Sequence, residues 1–476
     1  MTTYPDLSLI IGGRAIRERA ASSPVLDPGT GEVIGRVPHA TPGDLDQALL
    51  AAADGFRIWR GVAPYERARV LRRAADLVRE RLDAIATVLT LEQGKTLAEA
   101  RIEVGAAADI LEWSGEEGRR TYGRIVPGRV RGVRQMVLKE PIGPVAAFAP
   151  WNFPAMTPAR KLGGALGAGC SIILKPAEES PATALALVGA LLEAGLPGEA
   201  ASVVFGDPAM ISAQLIASPV VRKVSFTGST PVGKQLARLA ADGMKRATME
   251  LGGHAPVLVF DDADVDAAAE AGAAAKFRNA GQVCVSPTRF YVQDGVHDQF
   301  VQRFGEVARS LRVGHGLDGA SRMGPLANAW RLDAMEGFAA DAVAHGAEVV
   351  AGGGRIGNAG FFWQPTVLAG VPDTARIMWE EPFGPIAPIV RFRDEEDGLA
   401  RANALPFGLA AYVFTRDLRR AATVADALEA GMVGVNHFGI STPETPFGGV
   451  KDSGYGAEGG TEHIEAHLAT KLVSQL

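Results

Sequence analysis

Between residues 145 and 250 the chain repeats one pattern, a short run of almost wholly apolar, often β-branched residues followed by a longer stretch with helical spacing. The runs fall at 145–149, 171–174, 202–205, 223–226 and 247–250. A strand apolar on both faces must be covered on both, and helical crossovers between such strands leave them parallel. The expectation is an α/β fold built on a parallel sheet of the nucleotide-binding type. A second series starts at 256–260, passes through 289–292 and continues near Thr366 and Tyr412, which predicts a second α/β unit. The length of 476 residues leaves room for about three units of average domain size.

Ahead of these series, roughly the first hundred residues read as helices, beginning at Thr41. Thr41, Pro42 and Asp44 supply an N-cap, a proline at the first helical position and an acid at the third, and Ala48, Leu49, Ala52, Phe56 and Trp59 then recur at helical spacing. A second helix is expected over 64–91, with Leu71, Ala75, Leu77, Val78 and Leu82 inward and a dense Arg/Glu face in solvent. Over 125–141 the period changes, and Pro127, Gly128 and Gly132 separate two extended segments that could form an arm.

Charge narrows the partners. Forty-eight Lys and Arg against 54 Asp and Glu give a net of −6, so no global basic field attracts nucleic acid or an anionic membrane. A small-molecule partner is expected instead. No apolar run approaches the roughly 20 residues of a membrane span, and the first residues lack the basic and apolar regions of a signal peptide. The only cysteines, Cys170 and Cys284, form no metal-ligand spacing and no disulfide framework. No metal and a cytoplasmic location are expected.

In an open parallel sheet, ligands gather at the carboxyl ends of the strands. There the sequence places Pro150, Trp151 and Asn152, then Lys175 and Glu178, then Gly228 and Ser229, then Glu250, Leu251 and Gly252. A lysine, an acid, an amide and a glycine turn opening a helix are what a dinucleotide needs for its ribose hydroxyls and pyrophosphate. Each alone is an ordinary turn residue; four such groups together favour a site, although no G-x-G-x-x-G is present. The segment 228–235 comes within one residue of a phosphate-gripping P-loop, but Gln235 stands where a magnesium-binding hydroxyl is required and Pro231 removes an N–H. Cys284 follows Gly281 and Gln282 in a loop, a setting unlike that of a buried structural cysteine. No histidine pairs with it in sequence, which leaves an acid as the candidate base.

Together the segments 150–154, 175–178, 226–229, 250–253, 281–284, 381–385 and 446–449 resemble the signature set of the aldehyde dehydrogenase superfamily, in the same order over nearly the whole chain. The resemblance implies a Rossmann-like parallel-sheet NAD-binding domain (1–122 and 142–252), an α/β catalytic domain (253–452) and a small β oligomerisation arm (123–141 and 453–476), assembled as a homodimer or homotetramer. It implies that Cys284 is the nucleophile, that Asn152 and the Cys284 N–H receive the oxyanion, and that Glu250 activates water to release the acid from a thioester. Lys161 resembles a family lysine whose charge favours the oxyanion or the thiolate. Lys175 and Glu178 resemble the pair on the adenosine ribose, and the charge of Glu178 opposes a 2′-phosphate, so the cofactor implied is NAD. Pro150, Trp151, Gly228, Ser229, Leu251, Gly252, Glu381 and Phe383 complete the cofactor contacts. Glu458 resembles a family acid that relays protons, and reads equally well as a surface acid.

For the aldehyde, Arg160 and Arg278 are similar to the residues with which succinic semialdehyde dehydrogenases grip the substrate's far carboxylate, with Ser441 as a third polar position. Either arginine could instead pair with a protein acid. His437 and Phe438 depart from that pattern. A carboxylated semialdehyde is therefore the expected substrate, an aromatic or bulkier aldehyde the alternative, and a non-catalytic binding or structural protein of the same fold the reading from another class. Intact Cys284, Glu250 and Asn152 oppose the last, and Glu250 also opposes an acylating relative that passes its product to coenzyme A.

Overall fold

The computed structural model describes residues 4–476. Its largest sheet holds, from one side to the other, Arg14–Ile16, Leu9–Ile11, Ala201–Val203, Ile172–Lys175, Val145–Phe148, Lys223–Thr227, Arg246–Glu250 and Gly454–Tyr455. The five middle strands are parallel, and both edges are antiparallel. In chain order these middle strands lie third, second, first, fourth and fifth, so the direction of winding reverses between Val145–Phe148 and Lys223–Thr227. A crevice opens at such a reversal. All five apolar runs are strands within a residue or two of their expected limits.

The second sheet runs Glu348–Ala351, Thr366–Ala369, Ile386–Phe392, Pro287–Gln293, Ala255–Val259, Ala410–Phe414 and Met432–Val435, parallel except at its first pair. The hydrophobic interior divides accordingly. One core gathers Ala146, Ile173 and Val224 with the N-terminal helices, and the other gathers Val257, Phe290 and Ile389. A third, antiparallel sheet joins Arg124–Pro127, Arg134–Pro141 and Leu468–Gln475, pairing Arg134 with Gln475 and Pro141 with Leu468.

Two expectations need correction, and the chain before Thr41, where the expected helices begin, adds strands: Leu9–Ile11 and Arg14–Ile16 form a hairpin on the large sheet and Ser22–Leu26 pairs with Val33–Pro38. These strands are too short to show a period of two. The helix expected over 64–91 is two, Pro64–Glu80 and Leu82–Gln93, interrupted at Arg81 with φ −106° and ψ 13°. Both keep their apolar stripes buried, so hydrophobic spacing carries no trace of the break. The part of 453–476 before Leu468 does not belong to the arm, because Gly454 pairs with Glu250 at the edge of the large sheet.

The helix Pro42–Trp59 starts as its sequence requires. Thr41 Oγ1 accepts the Asp44 N–H at 3.2 Å and Asp44 returns the bond to the Thr41 N–H at 2.8 Å, a reciprocal cap.

Candidate active site

The crevice opens into a cavity of about 510 Å³ between the two cores. Pro150, Trp151, Asn152, Arg160, Gly228, Ser229, Glu250, Leu251, Gly252, Arg278, Cys284, Glu381, Phe383 and Ser441 all line it. Lys161, Lys175 and Glu178 do not. Segments more than 250 residues apart in sequence thus share one space, because strand ends from both sheets face it.

Cys284 sits just beyond a tight turn in which Asn279, Ala280 and Gly281 all take positive φ, at 49°, 51° and 72°. Glycine is required at the third position, since a Cβ on Gly281 would lie 2.2 Å from the Gly384 carbonyl oxygen. Two non-glycine residues in this region cost free energy that the surroundings must supply. They do so through a buried network. Asn152 Nδ2 donates to the Gln282 carbonyl at 3.1 Å, Asn279 Nδ2 donates to the Asn152 carbonyl at 3.0 Å, and Gln93 donates to Asn279 Oδ1 at 3.0 Å. Lys95 Nζ donates to the Asn152 carbonyl at 2.9 Å and to Glu103 at 2.5 Å. Glu103 in turn accepts the N–H groups of Ala155 and Met156 at 2.8 and 3.2 Å, where the helix Met156–Ala168 begins. Gln93, Lys95 and Glu103 escaped the sequence reading; Gln93 and Glu103 are polar residues on otherwise apolar helix faces, and Lys95 sits in the short loop between those helices.

Electrostatics favour the uncharged form of both reacting groups. Burial pushes the Cys284 thiol up to about 12, with Glu381 and Glu250 adding to the effect and Arg278 opposing it. Glu250 ends the strand Arg246–Glu250, is 2% exposed, and neither carboxylate oxygen has a hydrogen-bond partner among the described residues. Burial, then the charge of Glu458, raises it well above the ordinary carboxylate range. Glu458 behaves oppositely. Burial alone would raise it, but Lys161 at 2.7 Å, together with His463 and Arg160, holds it below its usual value. At 4% exposure Glu458 is not a surface acid. The Lys161 ammonium also donates to Ser225 and Thr227 at 3.1 and 2.9 Å, so it is directed to Glu458 and not toward Cys284.

Arg160 is 4% exposed yet has no ion-pair partner among the described residues. Its guanidinium donates to the Glu458 carbonyl at 3.0 Å and to Ser441 Oγ at 3.2 Å, and lies 5.0 Å over the Phe447 ring. Arg278 lies 5.7 Å over the Phe153 ring, with neither a hydrogen bond nor an ion pair among the described residues. Neither arginine pairs with a protein acid. His437 is exposed and Phe438 packs on Tyr412 and Phe414, so the two departures from the expected pattern do not line the cavity.

At the other end, Trp151 meets Phe383 and Trp330 edge-on, at 5.6 and 6.3 Å. Glu381 accepts the Gly253 N–H at 3.3 Å, and burial raises its carboxyl to about 7. A side chain at Gly252 would lie 2.6 Å from Glu381, so glycine there keeps the carboxylate in place. Ser229 begins the helix Thr230–Asp242 without a cap bond from its own hydroxyl, leaving that group and the helix's first N–H groups for an anion. Lys175 and Glu178 pair at 2.6 Å farther along the sheet edge, where Glu178 also accepts the Gly206 N–H at 2.8 Å. Lys234, the lysine of the near P-loop, pairs with Asp452 at 2.6 Å.

The described residues hold no cluster of His, Cys, Asp and Glu with metal-binding geometry, and no helix is long and apolar enough to cross a membrane. Residues 16–473 match the model of the aldehyde dehydrogenase family. A putative 4-(hydroxymethyl)benzenesulfonate dehydrogenase of Comamonas testosteroni is 49% identical over 471 residues, covering 99% of this chain and 98% of its own. The NADP-named succinate-semialdehyde dehydrogenase of Escherichia coli K12 is 46% identical, covering 94% and 93%. The solved succinate-semialdehyde dehydrogenase of Burkholderia pseudomallei superposes with a TM-score of 0.96 at 45% identity, covering 98% and 97%.

Proposed function

The chain belongs to the aldehyde dehydrogenase family, and on that premise we propose that it uses NAD to oxidise a carboxylated semialdehyde such as succinic semialdehyde. The observation that carries this reading is the pair Arg160 and Arg278, two guanidinium groups on one cavity with no protein counter-ion. Arg160 is buried, and a buried cation without an anion is costly; a substrate carboxylate offsets that cost with charge-assisted bonds, to which exposed Arg278 adds a second guanidinium. Ser441, already bonded to Arg160, adds a hydroxyl to the same end.

Cys284 Sγ attacks the aldehyde carbon, and the proton of its raised thiol passes to the Glu250 carboxylate, whose oxygens are otherwise unengaged. The developing oxyanion takes the Cys284 N–H and the Asn152 amide, each such donor contributing about 3 kcal/mol in acyl-transfer sites. Asn152 is held for this by its bond to the Gln282 carbonyl and by Lys95 on its own carbonyl. After oxidation the acyl group remains on sulfur, and Glu250 accepts the proton of the attacking water. Lys161 supports the site through Glu458 rather than by touching the sulfur.

When bound, NAD supplies the hydride acceptor. Pro150, Trp151, Gly228, Ser229, Leu251, Gly252, Glu381 and Phe383 hold its pyrophosphate and nicotinamide half in the cavity. Lys175 and Glu178 hold the adenosine ribose, and the fixed carboxylate of Glu178 opposes a 2′-phosphate, which favours NAD over the NADP in the name of the Escherichia coli relative. The arm mediates a homodimer or homotetramer, and the location is cytoplasmic, as the two unpaired cysteines suggest. The proposed division is 1–122 and 142–252 for the cofactor, 253–452 for catalysis, and an arm of 123–141 with a second piece that begins near Leu468.

A second reading, an aromatic aldehyde bearing an anionic group, draws on the Comamonas testosteroni relative and on the two rings, Phe153 and Phe447, that back the arginines. Steady-state kinetics with NAD and NADP over succinic semialdehyde, butanal, benzaldehyde and 4-sulfobenzaldehyde separates the two. In the proposed case Arg160→Leu costs about 2–5 kcal/mol in kcat/KM for succinic semialdehyde and leaves butanal almost unchanged. A wild-type preference for 4-sulfobenzaldehyde moves the assignment to the second reading, and a preference for butanal removes both.

A further inference from the structure

Beneath Glu250 the large sheet carries a polar stripe through its interior. Lys223–Thr227 and Arg246–Glu250 pair in register, Ser225 against Thr248 and Thr227 against Glu250. Alternation therefore sets Lys223, Ser225 and Thr227 on one face, beside Thr248 and Glu250. Lys223, Ser225, Thr248 and Glu250 are each at most 2% exposed. Lys223 Nζ donates to Thr248 Oγ1 at 2.6 Å, while Lys161 and Glu458 bond to Ser225 from above. The stripe leads from the cavity to the opposite end of the strands.

Two histidines cover it. His463 and His467 are 1% and 4% exposed, with ring centroids 6.2 Å apart. Gly164, one turn past Lys161 on the same helix, makes their approach possible: a Cβ there would lie 2.8 Å from Cε1 of both rings and 2.9 Å from His463 Nε2. His467 Nδ1 donates to the His463 carbonyl at 3.0 Å, which leaves its Nε2 as an acceptor. That Nε2 and both nitrogens of His463 have no partner among the described residues. Buried polar atoms in that state are uncommon and ask for a role. His463 faces Glu458, Arg160, Lys161 and Lys223; burial and the three cations push it down to about 4 against the pull of Glu458. His467 faces Lys223, His463 and Lys161, and burial lowers it as well. Both rings are thus neutral near pH 7, the form that takes a proton on one nitrogen and releases one from the other.

We propose that His463 and His467 relay protons from Glu250, by way of Glu458, out of the cavity toward the root of the arm at Leu468. This rests on the thioester reading of Cys284. Thiol, aldehyde and NAD give thioester, NADH and one proton; thioester and water give carboxylate, thiol and a second proton. Both protons arise on Glu250 while substrate and cofactor fill the cavity, so a path along the polar stripe is the unobstructed one. In this proposal the links between the polar groups run through buried water.

The test compares wild type with His463→Phe, His463→Gln and His467→Phe for first-turnover NADH formation, steady-state kcat and KM, and the effect of D2O on kcat. The first turnover and the aldehyde KM stay at wild-type values in all variants. Steady-state kcat falls roughly tenfold in the two Phe variants, below the 10²–10⁴ of a direct acid or base. The D2O effect on kcat grows in both, and Gln, which retains a donor and an acceptor, recovers part of the rate. Wild-type kcat and D2O effect in both Phe variants overturn the relay. So does a loss of first turnover in step with kcat, which would mark a structural role. If hydroxylamine traps no acyl group from wild type, the thioester reading fails first and the relay falls with it.

Discussion

Cys284 and Glu250 lie in one cavity, and burial shifts each toward its neutral form. A carboxyl works as a base only when ionised, so its raised value sets the pH at which water is activated. The hydrolytic half-reaction is expected to speed up with rising pH through a range well above that of an ordinary carboxylate, because the active form gains population as the proton leaves. Glu250→Gln removes this dependence. It leaves at most one fast turnover of NADH before the acyl group stalls on sulfur, whereas Cys284→Ala forms no NADH at all. Rapid mixing with NAD and aldehyde over a pH series measures both, and wild-type steady turnover in the glutamine variant would exclude Glu250 as the base.

At the scale of elements, the start of Pro42–Trp59 shows how local chemistry and tertiary packing meet. Thr41 and Asp44 cap each other, and Arg19 on the preceding segment binds the same carboxylate, Nε to Oδ2 at 2.8 Å. The Arg19 hydrogen bond, with those from Thr41, holds Asp44 well below the usual aspartate range against the effect of burial. The stabilisation from a depressed carboxyl is complete above its unfolded value and is lost as pH falls through the folded one. Thr41→Ala is expected to lower stability by about 1 kcal/mol, seen as a lower urea midpoint at neutral pH. Asp44→Asn should cost most at neutral pH and progressively less in acid, below pH 4, as wild-type Asp44 itself takes up its proton; a constant difference between pH 7 and pH 3 contradicts the linkage.

For the whole molecule, the arm leaves apolar groups in solvent: Ile125 is 71% exposed and Leu472 61%. A three-stranded antiparallel sheet projecting such side chains from a single chain is a surface that self-association would cover. Sedimentation should find a dimer or tetramer, and Leu472→Asp should shift it toward monomer with circular dichroism unchanged. A monomeric wild type would remove the arm's assembly role.

The five apolar runs of the first sheet, the Thr41 cap and the glycine loop before Cys284 were legible in the sequence because each depends on near neighbours: burial on both faces, a side chain reaching three residues along, a backbone turn. The family motifs marked the strand ends for the same reason. What stayed hidden depends on groups distant in the chain. Lys95 and Glu103 neutralise each other behind Asn152 only once two helices and the first strand end are packed. Glu458 becomes an interior acid because Gly454–Tyr455 adds to the sheet edge, and not to the arm, and so brings it over Lys161. The interruption at Arg81 leaves the apolar spacing intact. Sequence by itself determined which faces must be buried and which turns glycine must make. Only the tertiary structure decided which charges are paired, which are left for a ligand, and which acids lose contact with water, because desolvation and Coulomb energy depend on distances that folding alone sets.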